Sequence, residues 1–349
     1  MNSENPRILI IKLSAIGDVV HTLPLLEVIR REFPSSRIDW VIEEDASSIV
    51  DGHPDLNEVI VFPRKSWLRR FVKGGGCVAV MREVADFVRK FRKRNYDVVV
   101  DLQGLLKSGV LAFIARGKRK IALNGGREGS SLFINEQVAF PHPDIHALDR
   151  YLCVAQYLGA TNQRWEGLIP IDEADRRYVD DLLDEHKIDT APIAINPMAK
   201  WRTKLWGLSR FASLADIVSE ELEKTVIFTG GISDRDAIES ILSGMKSKTL
   251  NFAGLTNLKQ LAYLYQKCAA VVSTDTGPMH VAAAMGTPVV ALFGPTSPSR
   301  TGPYGAKHRV VRAGIHCSPC FKKSCDHMSC MKGIAVEQVF EKVTEVIDI

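Results

Sequence analysis

Short β-rich apolar runs alternate with helix-patterned stretches from end to end. That alternation restricts the chain to α/β architectures in which parallel sheets are covered by helices. Residues 8–13 form a near-continuous apolar run, as expected of a strand buried on both faces. Further strands are predicted at 38–42, 58–62, 98–102 and 120–123. After a polar helical stretch over 172–187 the pattern restarts, with strands at 193–196, 226–229, 269–273 and 289–293. A helix is expected from the turn at Gly17 to about Phe33, closed by Pro34. Val80, Met81, Val84, Phe87, Val88 and Phe91 recur at spacings of three and four, which predicts an amphipathic helix with all six in the core.

At 349 residues the chain is too long for one comfortable core. Two doubly wound domains are expected, over 1–175 and 190–330, joined near 175–190. A last helix over 335–349 has the option of packing back on the first domain. Ligands of such sheets bind beyond the carboxyl ends of the strands, so a cleft between two facing domains is the expected active site.

Composition narrows the class. An apolar fraction of 46% with 25% charged residues is that of a soluble globular protein. A net charge of +4 is too mild for a nucleic-acid partner. No apolar run reaches the roughly 18–20 residues that span a bilayer, and the amino-terminal residues lack a basic signal-peptide region. An odd number of cysteines, seven, suits a reducing compartment. A cytoplasmic monomer is expected.

Two strand-to-helix turns carry the chemistry. In the first, Lys12-Leu-Ser-Ala-Ile-Gly-Asp18-Val-Val-His21, a helix begins close to Asp18. Asp18 reads either as a helix cap or as a carboxylate presented at the strand end, and the two are compatible. His21 is a second polar group there or a helix-surface histidine. The second turn runs Val271-Val-Ser-Thr-Asp275-Thr276-Gly277-Pro278-Met279-His280. Gly277 allows close backbone approach, and Pro278 suits the first helical position. Free N–H groups beside the Thr274 and Thr276 hydroxyls make an anion cradle. His280 is a donor to a phosphate or hydroxyl, or a packed neutral ring. Gly294-Pro-Thr296 ends the next strand and lies beside this turn if the two strands are neighbours.

A third segment, Asn196-Pro-Met-Ala-Lys200-Trp201-Arg202-Thr203-Lys204-Leu-Trp206, places basic groups and indoles just past a strand end. It is a solvated loop or a polyphosphate contact. Gly230-Gly231-Ile-Ser-Asp234 ends the following strand and suits a nucleotide. It matches neither a Walker A loop nor a GxGxxG fingerprint, which removes the main support for a kinase or dehydrogenase.

The order Lys12-Leu-Ser-Ala-Ile-Gly-Asp18-Val-Val-His-Thr-Leu-Pro24, then Lys204-Leu-Trp206, then Ser273-Thr-Asp-Thr-Gly-Pro-Met-His280 and Phe293-Gly-Pro-Thr296, resembles the glycosyltransferase family 9 heptosyltransferases across nearly the whole chain. The resemblance implies a GT-B fold, two Rossmann-like domains with the donor nucleotide on the second. Asp39-Trp-Val-Ile-Glu-Glu44, Asp101-Leu-Gln-Gly-Leu-Leu-Lys107-Ser, Arg127 before Ser131-Leu-Phe, and His146-Ala-Leu-Asp-Arg150 are similar to the members that act on Kdo-lipid A. Inverting transfer of L-glycero-D-manno-heptose from ADP-heptose to Kdo is thereby implied, in lipopolysaccharide inner-core synthesis at the cytoplasmic face of the bacterial inner membrane. In that frame Asp18 is the general base and Lys204 neutralises the leaving ADP. Asp275, Thr276, Gly277 and His280 hold sugar and pyrophosphate, while Lys107, Arg127, His146 and Arg150 face the acceptor. No catalytic metal is needed. Ala199 and Lys200 stand where other members carry hydroxyl residues, so Lys200 is expected to substitute electrostatically. Three alternatives remain open: transfer to heptosylated core, a sugar-nucleotide epimerase or hydrolase, and a non-catalytic nucleotide-sugar-binding module.

Two further segments stand out. Arg64-Lys65-Ser-Trp67-Leu68-Arg69-Arg70-Phe71-Val-Lys73, followed by three glycines, is an exposed loop or a functional surface. In the functional reading Arg64 and Lys65 clamp acceptor anions, while Trp67, Leu68 and Phe71 dip into an anionic leaflet. Cys317, Cys320, Cys325 and Cys330 fall within fourteen residues and are either a structural zinc set or free thiols. Cys77, Cys153 and Cys268 are expected to be packing residues.

Overall fold

The computed structural model of the chain describes residues 5–73, 76–162 and 164–347. The amino-terminal residues 1–4, Gly74 and Gly75 of the glycine run, Gln163, and residues 348–349, to which the helix expected over 335–349 extends, lie outside the described residues. The chain divides into two units, Met1–Pro170 and Ile171–Ile349.

In the first unit, six parallel strands are β1 (Arg7–Ile11), β2 (Arg37–Glu43), β3 (Glu58–Phe62), β4 (Asn95–Asp101), β5 (Arg116–Leu123) and β6 (Glu136–Val138). Their order is β3-β2-β1-β4-β5-β6. The second unit repeats the plan with β7 (Ile193–Asn196), β8 (Val226–Phe228), β9 (Leu250–Asn251), β10 (Ala270–Thr274), β11 (Val289–Leu292) and β12 (Arg309–Val311), ordered β12-β11-β10-β7-β8-β9. Counted from its own first strand, each sheet has the doubly wound order, with switch points between β1 and β4 and between β7 and β10. The central strands are apolar because helices cover both faces; Ile8 to Ile11 and Val289 to Val290 are fully buried.

Three strands were not foreseen. β6, β9 and β12 are two or three residues long and lie at sheet edges or next to them, where Glu-Gln-Val, Leu-Asn and Arg-Val-Val present no apolar run. The helix expected to run to Phe33 is two helices, Ile16–Val20 and Leu23–Glu32. Pro24 has no N–H to continue the first helix and instead sits at the start of the second.

The six-residue core stripe is also corrected. Helix Cys77–Arg92 buries Val80 and Phe91 and half-buries Phe87 and Val88, but Met81 and Val84 are exposed. Met81 lies about 100° around the helix from Val80, and the sheet covers only the narrower face. Phe62, Trp67, Phe87 and Phe91 fill the space beneath, with ring centroids 5.4–5.7 Å apart.

The second unit begins earlier than expected. Helix Glu173–Glu185, capped by Asp172 accepting from the Asp175 N–H at 2.8 Å, buries Val179, Leu182 and Leu183 as part of that unit rather than linking the two. The last helix, Val336–Ile347, packs on the sheet of its own unit. Its stripe Val339, Val343 and Val346 enters the core that holds Ile193, Phe211 and Val290, and Glu345 pairs with Arg309 of β12 at 3.0 Å. Among the described residues no helix is long and apolar enough to cross a membrane.

Candidate active site

Asp18 is not the cap of its helix. Ala15 occupies the N-cap, and Asp18, at the third helical position, accepts the Ala15 N–H at 3.2 Å through Oδ2. Its Oδ1 lies 3.9 Å from the Lys12 ammonium and accepts the Tyr151 hydroxyl at a long 3.4 Å. Lys12 is buried and donates to the Leu102 carbonyl at 3.0 Å and to the Tyr151 oxygen at 2.8 Å. Burial pushes the Lys12 ammonium below its ordinary pKa, against the pull of Asp18 and Asp101. Burial, then the Asp18 charge, pushes the Tyr151 phenol well up, so it remains a hydrogen-bond donor. The carboxylate itself keeps 38% of its surface open, which leaves lone pairs for a substrate.

The strand end is fixed from β4. Gln103 Oε1 accepts the Leu13 and Ser14 N–H groups, each at 3.0 Å. Asp101 receives Gln103 N–H at 2.9 Å and Ser108 hydroxyl at 2.9 Å, which fastens the helix Leu106–Ile114 to the same edge. Lys107 then reaches Ser14 Oγ at 3.1 Å and Glu43 Oε1 at 2.8 Å. Arg64 donates to that same Glu43 oxygen at 2.8 Å. Burial would raise the Glu43 carboxyl, but Lys107 and Arg64 outweigh it and hold it below the usual range.

Of the residues expected to face an acceptor, the structure therefore gathers Lys107 and Arg64 around Glu43, beside the Asp18 turn. The side chain of Arg127 is exposed, and its charge reaches Lys12. Lys65 pairs separately with Asp45. His146 is occupied differently: it caps helix Ala147–Tyr157, Nδ1 accepting the Leu148 N–H at 3.2 Å, and its ring meets His21 edge-on at 4.8 Å. His21 is accordingly a buried packing ring, not a surface group. Arg150 donates to the Ile145 and Pro143 carbonyls at 3.1 and 2.6 Å and lies over Phe140, bracing its own loop. Trp67 is 9% exposed and donates to Glu83 at 3.0 Å, so it does not dip into a leaflet.

In the second unit, Asp275 ends β10 and is buried. Its Oδ2 lies 2.6 Å from the Lys204 ammonium and accepts the Thr296 hydroxyl at 2.6 Å. Thr296 arrives there because β10 and β11 are paired neighbours. Lys204 also donates to the Asp275 carbonyl at 3.0 Å and lies 4.8 Å over the Trp201 ring. Helix Gly277–Ala284 starts at this point with Thr276 as N-cap. The Thr276 hydroxyl oxygen is buried and takes no hydrogen bond among the described residues. A helix start with such a hydroxyl suits an anion. His280 is buried on the first turn of that helix. Lys200 is exposed on the loop before Lys204, while Asp234 spends Oδ2 on the Gly231 N–H at 2.9 Å. Trp206 belongs to the core, its Nε1 donating to the Ile334 carbonyl at 3.0 Å.

The cysteine segment braces the Lys204 loop and the turn that follows β11. Lys322 carbonyl accepts the Thr203 hydroxyl at 2.9 Å, Ser318 hydroxyl donates to the Gly294 carbonyl at 2.5 Å, and Cys320 N–H donates to the Pro295 carbonyl at 3.0 Å. Cys330 is buried, a Cβ on Gly294 would come within 3.1 Å of its sulfur, and burial pushes its thiol up. Cys317, Cys320, Cys325 and Cys330 are free thiols, and among the described residues no group of three or more His, Cys, Asp or Glu is placed to hold a metal ion. Cys268 is buried with a raised pKa, as a packing residue should be.

Sequence reasoning missed Lys12, Glu43, Gln103 and Tyr151. Lys12 carries a signal, a charge directly after a buried apolar run. Tyr151 carries none, since it lies 133 residues from Asp18.

Comparison with known proteins places the chain in a family. Residues 84–330 match the family described as glycosyltransferase family 9 (heptosyltransferase). The chain is 29% identical over 335 residues to lipopolysaccharide heptosyltransferase 1 of Pseudomonas aeruginosa, covering 92% of this chain and 88% of the relative. The glycosyl transferase family 9 structure from Veillonella parvula superposes with a TM-score of 0.84 at 27% identity, covering 99% and 98% of the two chains. E. coli heptosyltransferase WaaC with ADP gives 0.76 at 25% identity, covering 97% of this chain and 99% of that one. With two doubly wound sheets and these neighbours, the fold is GT-B.

Proposed function

From the premise that this chain belongs to glycosyltransferase family 9, we propose that it moves L-glycero-D-manno-heptose from ADP-heptose to a Kdo sugar of Kdo-lipid A. The observation that carries the reading is the open Asp18 carboxylate, held on one side by Lys12 and Tyr151. The relative named lipopolysaccharide heptosyltransferase 1, and the solved heptosyltransferase with ADP, support a nucleotide-sugar donor and a lipopolysaccharide acceptor.

In the proposed step the acceptor hydroxyl oxygen attacks the anomeric carbon and the carbon–oxygen bond to the diphosphate breaks, with inversion. The hydroxyl proton passes to Asp18, and ADP leaves with the bond's electron pair. A carboxylate is a weak base and takes the proton late, as the hydroxyl acidifies. Lys204 and the start of helix Gly277–Ala284 neutralise the departing diphosphate, and Asp275 with Thr296 holds Lys204 in place. Lys107, Arg64 and Arg127 offer the acceptor's anionic groups a positive edge, with Glu43 fixing the first two. The protein works peripherally at the cytoplasmic face of the inner membrane.

A second reading, transfer to heptosylated core, uses the same groups, and the family's description names the heptose moved but no acceptor. ADP release from ADP-heptose, measured with Kdo-lipid A, with heptosylated core and with neither, separates the readings. Release dependent on Kdo-lipid A is expected. Release without acceptor would point to a hydrolase or epimerase, and binding without release to a non-catalytic module.

A further inference from the structure

Large apolar side chains are unevenly exposed. Of the nineteen exposed ones among the described residues, ten lie on four segments of the first unit. Leu68, Phe71 and Val72 are on helix Arg64–Val72, and Val78, Met81 and Val84 are on helix Cys77–Arg92. Leu106, Val110 and Phe113 recur at spacings of four and three on helix Leu106–Ile114, and Leu132, 85% exposed, tops the short 3-10 turn Ser130–Phe133. Each segment packs on the next. They cover one side of the sheet, above the core of Leu9, Val99, Phe91 and Leu111. A monomer rarely leaves so many large apolar side chains exposed on adjoining elements without a use.

Charge selects the occupant. Residues 64–93 hold ten lysines and arginines against two acidic residues, whereas the rest of the chain holds 35 against 39. The whole positive excess is thus concentrated on the two helices that carry six of the exposed apolar groups. Glu83 pairs with Arg70, and Asp86 with Arg89. Arg69, Lys73 and Arg82 are exposed and unpaired among the described residues. Apolar groups interleaved with basic ones on a helical surface match the boundary layer of an anionic bilayer. A protein–protein interface core is instead depleted of charge. The apolar stripe also begins one residue before Lys107, at the edge where Asp18 is presented.

We infer that this face, helices Arg64–Val72, Cys77–Arg92 and Leu106–Ile114 with the turn at Leu132, is the surface on which the protein rests on an anionic lipid bilayer. The inference rests on the proposed function only in that a lipid-borne acceptor gives the docking its purpose. Phe71, Met81 and Leu132 enter the headgroup boundary while Arg69, Lys73 and Arg82 meet lipid phosphates. Trp67 stays beneath them as part of the core.

The test is flotation of the full chain with vesicles of phosphatidylcholine alone or mixed with phosphatidylglycerol, at low and high salt. Wild type is expected to float with the mixed vesicles and much less with the neutral ones. The triple variant Phe71→Ser, Met81→Gln, Leu132→Gln is expected to lose at least about tenfold in partitioning, because three apolar anchors are removed. Each of Arg69→Gln, Lys73→Gln and Arg82→Gln is expected to lose about fivefold, the loss shrinking at high salt. Ile232→Gln, an equally exposed apolar site on the second unit, should change nothing. Failure of wild type to float with anionic vesicles overturns the inference. So does undiminished flotation of the triple variant, which would leave only general charge attraction. A dimer of wild type that the triple variant dissociates would assign the face to a second copy and likewise overturn it. Turnover on an acceptor stripped of its acyl chains keeps the two proposals apart. The triple variant should match wild type there, and absence of turnover in wild type would sink the proposed function while leaving the flotation result standing.

Discussion

Each unit places a lysine–aspartate pair at the carboxyl edge of its sheet, and the two pairs are built for different work. In the first unit Lys12 is the buried partner and Asp18 the open one, 3.9 Å apart, with Tyr151 between them. In the second unit Asp275 is buried, its Oδ2 at 2.6 Å from Lys204, and the same oxygen accepts the Thr296 hydroxyl. A carboxylate with open surface and loose partners can accept a proton. One locked between an ammonium and a hydroxyl can only orient charge. In the proposed function the same topology therefore supplies a base on one unit and a support for the pyrophosphate on the other, according to which partner is buried.

The largest expected effect would break this contrast most sharply. Asp18→Ala should lower turnover by roughly 10²–10⁴ with ADP-heptose binding retained, as measured by steady-state kinetics and donor titration. Lys204→Ala should cost about 10²–10³ in kcat, since one preorganised positive group is lost from the leaving diphosphate; an unchanged kcat would remove it from that role. Tyr151→Phe should cost roughly two- to tenfold in kcat, the scale of one hydrogen bond to Asp18. If it costs nothing, the phenol does not position Asp18.

The smallest effect concerns stability. Burial holds the His53 imidazole below its ordinary pKa, against Asp55 and Glu27, so the folded state keeps it neutral. The unfolded chain then binds the extra proton first, and stability present above the unfolded pKa near 6.5 is lost as pH falls toward the folded value. His53→Gln should flatten the fall in melting temperature between roughly pH 6.5 and pH 5. An equally steep fall would assign that loss to other groups, such as His308 in the second unit, whose pKa is also lowered by burial.

Nine of the strands were readable because buried parallel strands are apolar without interruption, as Ile8–Ile11 and Val289–Leu292 show. β6, β9 and β12 were not, since short edge strands need no such run. Both chemical turns were visible from small residues and a single carboxylate after a strand. Their partners were less so. Thr296 lies beside the Asp275 turn as its strand order predicts, but Tyr151 is brought in by tertiary contact alone, and the His146 and Arg150 side chains cap and brace their own loop. The stripe over 80–91 misled at Met81 and Val84 because periodicity reports amphipathy, not how wide a face the sheet will cover. Both residues belong to the face proposed to rest on lipid.

The central claim is that the open aspartate does the proton chemistry and the locked one holds the donor. Measuring kcat and ADP-heptose affinity side by side for Asp18→Asn and Asp275→Asn tests it directly. Asp18→Asn should bind the donor as wild type does while acceptor-dependent ADP release falls by at least about a hundredfold. Asp275→Asn should weaken donor binding. Wild-type turnover by Asp18→Asn, or donor binding lost in Asp18→Asn and intact in Asp275→Asn, would contradict the assignment.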